Sequence, residues 1–286
     1  MADHTRQRMP RLGIIAGAGR FPVMVADGAR DAGCWVGVVG LRGLTDPGIA
    51  AHADLFRWSG LARLGHWLRI LRRHHVDRVI LAGSVRKADM FGRLRLLKLL
   101  PDWTSLRLWF FELDDKRNDA VLSAVADRLA ARGITMESCV KYSDKDMAPH
   151  GVLTRRRPTP AQQRDLTFGW PIARDLGRLD IGQAIAVNET EVIAVEAIEG
   201  TDRMIERAGD LCRRGGWTLI KVAKPQQDMR FDVPTIGPDT IATLRRCGAR
   251  MLVIEAGQTL IVDRDATIAA ADAAGIVIVG HAEPAP

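Results

Sequence analysis

The stretch from Val195 to Pro238, VEAIEGTDRMIERAGDLCRRGGWTLIKVAKPQQDMRFDVPTIGP, sets Glu196, Glu199, Asp202, Asp228 and Asp232 among Arg203, Lys221, Lys224 and Arg230. Glycine and proline mark the turns between its apolar runs, so these charges fall at the ends of strand-like segments rather than along an evenly solvated face. Carboxylates able to hold a divalent cation, beside amines able to hold phosphate oxygens, are what phosphoryl or pyrophosphate chemistry uses. A salt bridge or a helix cap is the competing reading for each acid, strongest for Asp202, which follows Gly200-Thr201 at a helix start.

A second candidate lies near the N-terminus, where the apolar run Arg11 to Ile15 enters AGAGRFP and then a helical pattern. Gly17 and Gly19 would let backbone N–H groups approach a phosphate at the helix start. The dinucleotide fingerprint is incomplete, because Pro22 replaces its third glycine and the second strand ends in Gly40-Leu41-Arg42 without an acid for a ribose hydroxyl. The turn reads either as tight strand-to-helix packing or as contact with a nucleotide or sugar phosphate. A later strand, Asp77 to Ala82, ends at Gly83-Ser84; in an open parallel sheet Gly17, Gly19, Gly83 and Ser84 would meet at one rim.

These groups need a scaffold, and 286 residues with 47% hydrophobic content suffice for two cored domains. No apolar run approaches the length of a membrane span, and the first residues lack the apolar core of a signal peptide, so a cytoplasmic chain is expected. Cys34, Cys139, Cys212 and Cys247 are widely spaced and read as reduced packing residues. His66, His74 and His75 have no nearby cysteine or carboxylate to complete a metal set and read as surface or helix-end histidines. The net charge of +7 favours an anionic partner. Nucleic acid is disfavoured, since only 5% of residues are aromatic and no RNP-type strand appears.

Strand and helix patterns alternate along the chain, predicting α/β architecture: a Rossmann-like parallel-sheet domain over 1–150 and a distinct α/β domain over 151–286. In the first, strands are expected at Trp35–Leu41, Asp54–Trp58 and Ile134–Val140, with helices at Leu61–His75 and Ala120–Arg132. Between them FGRLRLLKLL, Phe91 to Leu100, is both apolar and basic and suits either a lipid-interface helix or a core helix with a basic edge. A proline-rich, basic stretch after Ser143 is expected as a linker. The second domain is expected to open with a helix from Pro160 to Leu179, then strands Gln183–Val187 and Glu191–Val195, and to continue in alternation to Val279.

Four signatures, GIIAGAGRFP (Gly13 to Pro22), DIGQAIAV (Asp180 to Val187), VEAIEGTDRMIER (Val195 to Arg207) and KVAKPQQDMRFDVPTIGP (Lys221 to Pro238), resemble the LpxI family. That family comprises UDP-2,3-diacylglucosamine pyrophosphatases of lipid A biosynthesis, and the resemblance spans the chain in order. It implies hydrolysis of UDP-2,3-diacylglucosamine to UMP and 2,3-diacylglucosamine 1-phosphate (lipid X), a divalent metal such as Mg²⁺, a ligand in the interdomain cleft, and a homodimer. It also implies residence in the cytoplasm, peripheral to the inner membrane of a Gram-negative cell.

The resemblance casts Asp228 as first catalytic choice, orienting water or holding metal, with Asp232 and Lys224 beside it. Asp228, Glu196 and Asp232 are the expected metal ligands. Substrate contacts are expected from Gln183, Glu199, Thr201, Lys221 and Arg230, with Gly17, Ala18, Gly19, Gly83 and Ser84 on the rim. Two competing functions predict different behaviour: a nucleotide-dependent oxidoreductase would bind NAD(P) tightly, and a sugar-nucleotide or lipid-binding regulator would bind without turnover.

Overall fold

Two apolar runs too uniform to have a wet face, RLGIIA and WVGVVGL, form the centre of a parallel sheet, as strands buried on both faces do. They are β1 (Arg11–Ala16) and β2 (Trp35–Leu41), paired with Leu12 opposite Val36 and Ile14 opposite Val38. With β3 (Leu55–Ser59), β4 (Arg78–Ala82) and β5 (Thr135–Met136) they make a five-stranded sheet ordered β3-β2-β1-β4-β5. The order changes direction between β1 and β4, so their carboxyl ends mark the switch point of the sheet. The sheet belongs to the first of two units, Met1–Ser143 with Asp228–Phe231; the second is Asp144–Gln227 with Asp232–Pro286.

The computed structural model describes residues 9–85, 101–112, 118–228, 230 and 232–282. The Phe91–Leu100 segment expected to meet lipid or core lies outside the described residues, as does most of the acidic run after Leu113.

In the first unit α1 (Phe21–Asp31) follows β1, and α2 (Leu64–Arg73) packs Leu64, Trp67, Leu68 and Leu71 into a core with Val39, Val79 and Leu129. Each such side chain, once buried, contributes about 1.5–3 kcal/mol. The expected Leu61–His75 helix is trimmed at both ends, since Arg63 sits at φ −122, ψ 57 and His75 at φ 53. The expected strand from Ile134 to Val140 shrinks to two residues. Past Glu137, whose N–H still reaches Val79 O, the chain turns through Lys141 N–H to Ser138 O. Sequence periodicity also missed α3 (Trp103–Arg107), its π-helical extension Leu108–Glu112, and the early start of α4 (Asn118–Ala130).

The second unit holds a mixed six-stranded sheet. Its order is β6 (Gly151–Val152), β13 (Val277–His281), β11 (Met251–Glu255), β9 (Thr218–Lys221), β7 (Ala184–Asn188) and β8 (Glu191–Val195). β9, β11 and β13 run parallel, while β7 opposes both β8 and β9. A small pair, β10 (Thr235–Ile236) with β12 (Leu260–Ile261), stands apart. The stretch after Ser143, read from its prolines as a linker, is part of this unit: β6 lies antiparallel on β13, and Ala148 N–H bonds Thr259 O.

Helix α5 (Pro160–Arg178) opens with a reciprocal cap between Thr159 and Gln162 and covers one sheet face, Leu166, Trp170 and Ala173 meeting Ile185, Ile220 and Val253. The other face is covered by α6 (Thr201–Leu211), α7 (Pro238–Arg246) and α8 (Arg264–Ala274). Met204, Ile205, Leu244 and Ala271 meet Ala186, Leu219 and Leu252 there.

At the switch point of the first sheet the two glycine turns strap to each other. Gly17 N–H donates to Ala82 O at 2.8 Å, Ala18 N–H to Ser84 O at 2.9 Å, and Ser84 N–H to Ala18 O at 3.0 Å. A Cβ on Gly83 would fall 2.7 Å from Ala18 O, at φ +91, whereas one on Gly43 at φ +79 would meet nothing within 4 Å. Both alanine substitutions strain the backbone, but only Gly83→Ala also drives the strap apart. Urea denaturation is expected to show Gly83→Ala less stable than Gly43→Ala by about 1–3 kcal/mol, the usual cost of overpacking.

Candidate active site

The antiparallel β7–β8 hairpin and the neighbouring β9 bring three chain segments to one end of the second sheet. Val222 N–H bonds Gln183 O, and Glu196 N–H bonds Ala184 O, so the residues before β7, after β8 and after β9 lie side by side. Gln183, Glu196, Thr201, Lys221 and Lys224 therefore share this end of the second unit.

Lys221 turns inward. Only 7% exposed, it donates from Nζ to Thr235 O at 2.9 Å and so ties β9 to β10. Burial lowers its pKa, opposed by the charges of Glu196, Asp202 and Asp232. Glu196 is 6% exposed; its Oε1 accepts the Thr201 hydroxyl at 3.1 Å, while Oε2 has no hydrogen-bond partner among the described residues. Burial raises its pKa, against the opposing pull of Lys221 and the Thr201 bond. For both partners desolvation thus outweighs their attraction, as expected of ions taken out of water. Gln183 adds a further unpartnered buried acceptor, Oε1.

Outside this buried pair the charges are engaged with one another. Glu199 accepts Arg207 at 2.6 Å and the Ala197 N–H at 3.2 Å, bracing the loop into α6, and its pKa is lowered chiefly by its own backbone N–H, then by Arg207. Gly200, at φ 84, occupies the cap position, and the Thr201 hydroxyl goes to Glu196 instead of capping. Lys224 Nζ donates to Asp180 at 2.8 Å. The loop carrying Lys224 is fixed by Glu255 at the end of β11. One Glu255 oxygen accepts Ala223 N–H at 2.7 Å and the other accepts Arg174 of α5 at 2.7 Å. Asp180, Arg174 and Glu255 escaped the sequence reading. An acid closing the buried run MLVIE was the available signal for Glu255.

Asp228 and Arg230 form a two-pronged pair: Arg230 Nε lies 3.0 and 2.9 Å from the two carboxylate oxygens and Nη2 lies 2.6 Å from Oδ2. The Arg230 side chain is the main cause holding the Asp228 carboxyl below the ordinary range, with the Arg230 N–H adding to it. Asp228 is therefore ionised at neutral pH and suited to accept a proton or orient water, not to act as an acid. The tertiary structure divides the opening stretch, since Asp228–Phe231 group with the first unit and Asp232 with the second.

On the rim of the first unit, Gly17, Ala18, Gly83 and Ser84 come together, but the amides of Gly17 and Ala18 are engaged inside the strap. Gly19, exposed at φ +92, and Gly83, at φ +91, are the rim residues whose N–H groups find no acceptor among the described residues.

The expected metal ligands do not form a set. Both Asp228 oxygens face Arg230, Glu196 is buried against Thr201, and Asp232 is exposed. Among the described residues no group of three or more His, Cys, Asp or Glu side chains is placed to hold an ion.

Lys221 and Glu196 are buried close enough to feel each other's charge without meeting in a salt bridge. Lys221→Met removes the Nζ bond to Thr235 O and is expected to lower stability by about 1–3 kcal/mol, with the double variant Lys221→Met, Glu196→Gln no worse, measured by urea denaturation. The pH dependence has a definite sign. A carboxyl whose folded pKa is raised binds its proton more tightly in the folded chain, so stability falls as pH rises from the ordinary glutamate value through the raised one. Glu196→Gln should flatten that slope.

Comparison with known proteins bears on these residues. Residues 11–145 match the family description LpxI N-terminal domain and residues 149–279 the LpxI C-terminal domain. The UDP-2,3-diacylglucosamine pyrophosphatase LpxI of Caulobacter vibrioides is 37% identical over 284 residues, covering 95% of this chain and 98% of its own. A UDP-glucose-4-epimerase from Stenotrophomonas maltophila, solved with NAD and formylated UDP-arabinopyranose, is 16% identical with a TM-score of 0.29, over 60% of this chain and 49% of its own. AnUbiX (PadA1), solved with FMN and dimethylallyl pyrophosphate, is 12% identical with a TM-score of 0.18, over 45% and 94%. Likenesses that low carry no argument. With both domain signatures in order and a relative 37% identical over nearly the whole of each chain, the protein belongs to the LpxI family.

Proposed function

We propose that this chain is a pyrophosphate hydrolase that cleaves UDP-2,3-diacylglucosamine to UMP and 2,3-diacylglucosamine 1-phosphate in lipid A synthesis. The reading is carried by the near-full-length likeness to a UDP-2,3-diacylglucosamine pyrophosphatase. The Asp228–Arg230 pair supplies the chemistry that such a reaction needs.

In this proposal Arg230, always charged, is drawn from Asp228 toward the phosphate oxygens of the substrate, a geometry guanidinium favours. Freed of its clamp, Asp228 becomes more basic and takes a proton from the attacking water. The water oxygen bonds to one phosphorus, the P–O–P bridge breaks, and the released phosphate is the leaving group. Lys224 offers positive charge for that group as the bond lengthens. Oxygen-18 water distinguishes the two phosphorus centres, and the resemblance favours the one on the lipid-sugar side.

A requirement for a divalent cation such as Mg²⁺ belongs to the same reading. Since among the described residues the carboxylates do not group to hold an ion, the ion is proposed to arrive with the pyrophosphate, whose charge it neutralises; no step of the protein chemistry depends on its position. Chelation followed by Mg²⁺ addition is expected to abolish and restore UMP release. Attachment to the cytoplasmic face of the inner membrane and homodimer formation complete the reading. Among the described residues no helix is long and apolar enough to cross a membrane.

Asp228→Ala is expected to bind substrate but turn over at least ~100-fold more slowly, the scale of losing a catalytic base. Wild-type hydrolysis by that variant under saturating Mg²⁺ would remove Asp228 from the mechanism. Arg230→Ala tests the clamp separately. With its main depressing cause gone, the Asp228 pKa rises toward the ordinary value, so the acid limb of kcat/KM should shift to higher pH. An unmoved limb, with activity remaining, would dissociate Arg230 from Asp228.

A further inference from the structure

One face of the first unit carries charge and apolar surface for which the hydrolytic site has no use. Helix α2 presents Arg69, Arg72 and Arg73, spaced i, i+3 and i+4, along a groove of about 490 Å³. Thr104 of α3 and Arg132, just past α4, line the same groove. Among the described residues none of these four arginines has an acidic partner within salt-bridge distance. This contrasts with Arg174, Arg207 and Arg230 elsewhere, each paired at 2.7 Å or less.

Beside the groove, α3 and its π-helical extension hold Trp103 74% exposed and Phe110 69% exposed. Trp103 opens this helical segment and Phe110 lies in its π-helical part, and both stand in solvent. Large apolar side chains standing in water next to unpaired cations mark an interaction surface, since neither is stabilised by the fold itself.

The structure assigns this α2–α3 face to an anionic lipid bilayer. Tryptophan and phenylalanine favour the headgroup boundary, where ring surface leaves water, and neighbouring arginines meet lipid phosphates. A planar partner fits because Trp103 and Phe110 are exposed and do not line the groove; a nucleic-acid groove would place them inside, stacked on bases. The inference rests on the proposed lipid substrate, which has two acyl chains, but concerns a different set of residues.

The test uses the full chain and flotation with vesicles of phosphatidylcholine alone or mixed with phosphatidylglycerol. Wild type is expected to float with the anionic vesicles and not the neutral ones. Arg69→Glu with Arg72→Glu and Arg73→Glu should weaken partition by about 100-fold, roughly fivefold per lost cation. Trp103→Ser with Phe110→Ser should weaken it as well. All variants should hydrolyse detergent-dispersed substrate as wild type does. If the arginine variant fails to fold, quenching of wild-type fluorescence by brominated lipid, diminished in Trp103→Phe, carries the same test.

Equal flotation of wild type and variants, or no quenching difference in Trp103→Phe, would overturn the assignment while leaving hydrolysis untouched. So would wild type that hydrolyses substrate but ignores anionic vesicles. RNA retention lost in the arginine variant, with no vesicle binding, would transfer the face to nucleic acid and overturn the lipid reading. Absence of hydrolysis by a wild type that floats would instead sink the proposed function and leave the docking face standing.

Discussion

A lysine ammonium at 7% exposure is costly wherever it occurs, and Lys221 holds that position at the carboxyl end of a fully buried strand. It is tolerated because the Thr235 carbonyl accepts a hydrogen bond from it and the charge of Glu196, buried nearby, opposes the cost of desolvation. Those two partners come from separate parts of the chain. Lys221 thereby fixes the segment after β8 and the return strand β10 relative to β9, and the site residues around it inherit that order. The depression of its own pKa and the elevation of that of Glu196 have one cause, the loss of water around both.

Beyond this buried pair, the same end of the sheet is organised by carboxylates that bind backbone. Glu255 takes an N–H of the loop and an arginine of α5 at once, and Glu199 takes an N–H of its own turn along with Arg207. A loop held this way keeps its exposed charges in place without burying them. Asp228 is different, because both of its oxygens are satisfied by a single side chain two residues away. A pair that is local and partly exposed is easily exchanged for another partner, as the proposed chemistry requires.

The first unit applies glycine to another end. Its two turns at the switch point approach so closely that side chains are excluded at Gly17 and Gly83, and the amides that might have cradled an anion bond each other instead. Residue type alone announced a close approach there; it did not say whether ligand or backbone would be the neighbour. The structure answers that it is backbone for Gly17 and Ala18 and leaves Gly19 at the exposed rim.

The α/β alternation, the parallel centre of the first sheet, the cap at Thr159 and the family resemblance are all written in local pattern. Apolar runs, turn residues and capping pairs act over a few positions, so the sequence by itself determined them. Pattern lost its hold where short elements depend on distant partners, as in the two-residue β5, β6 and β10 and the aromatic turn after α3. The partners of the charges were beyond it altogether. Lys224 meets Asp180 across 44 residues and Arg174 meets Glu255 across 81. Which lysine is buried, which carboxylate is clamped, and to which unit Asp228 belongs were decided by tertiary structure, because desolvation and ion pairing depend on distance in space and not on spacing along the chain.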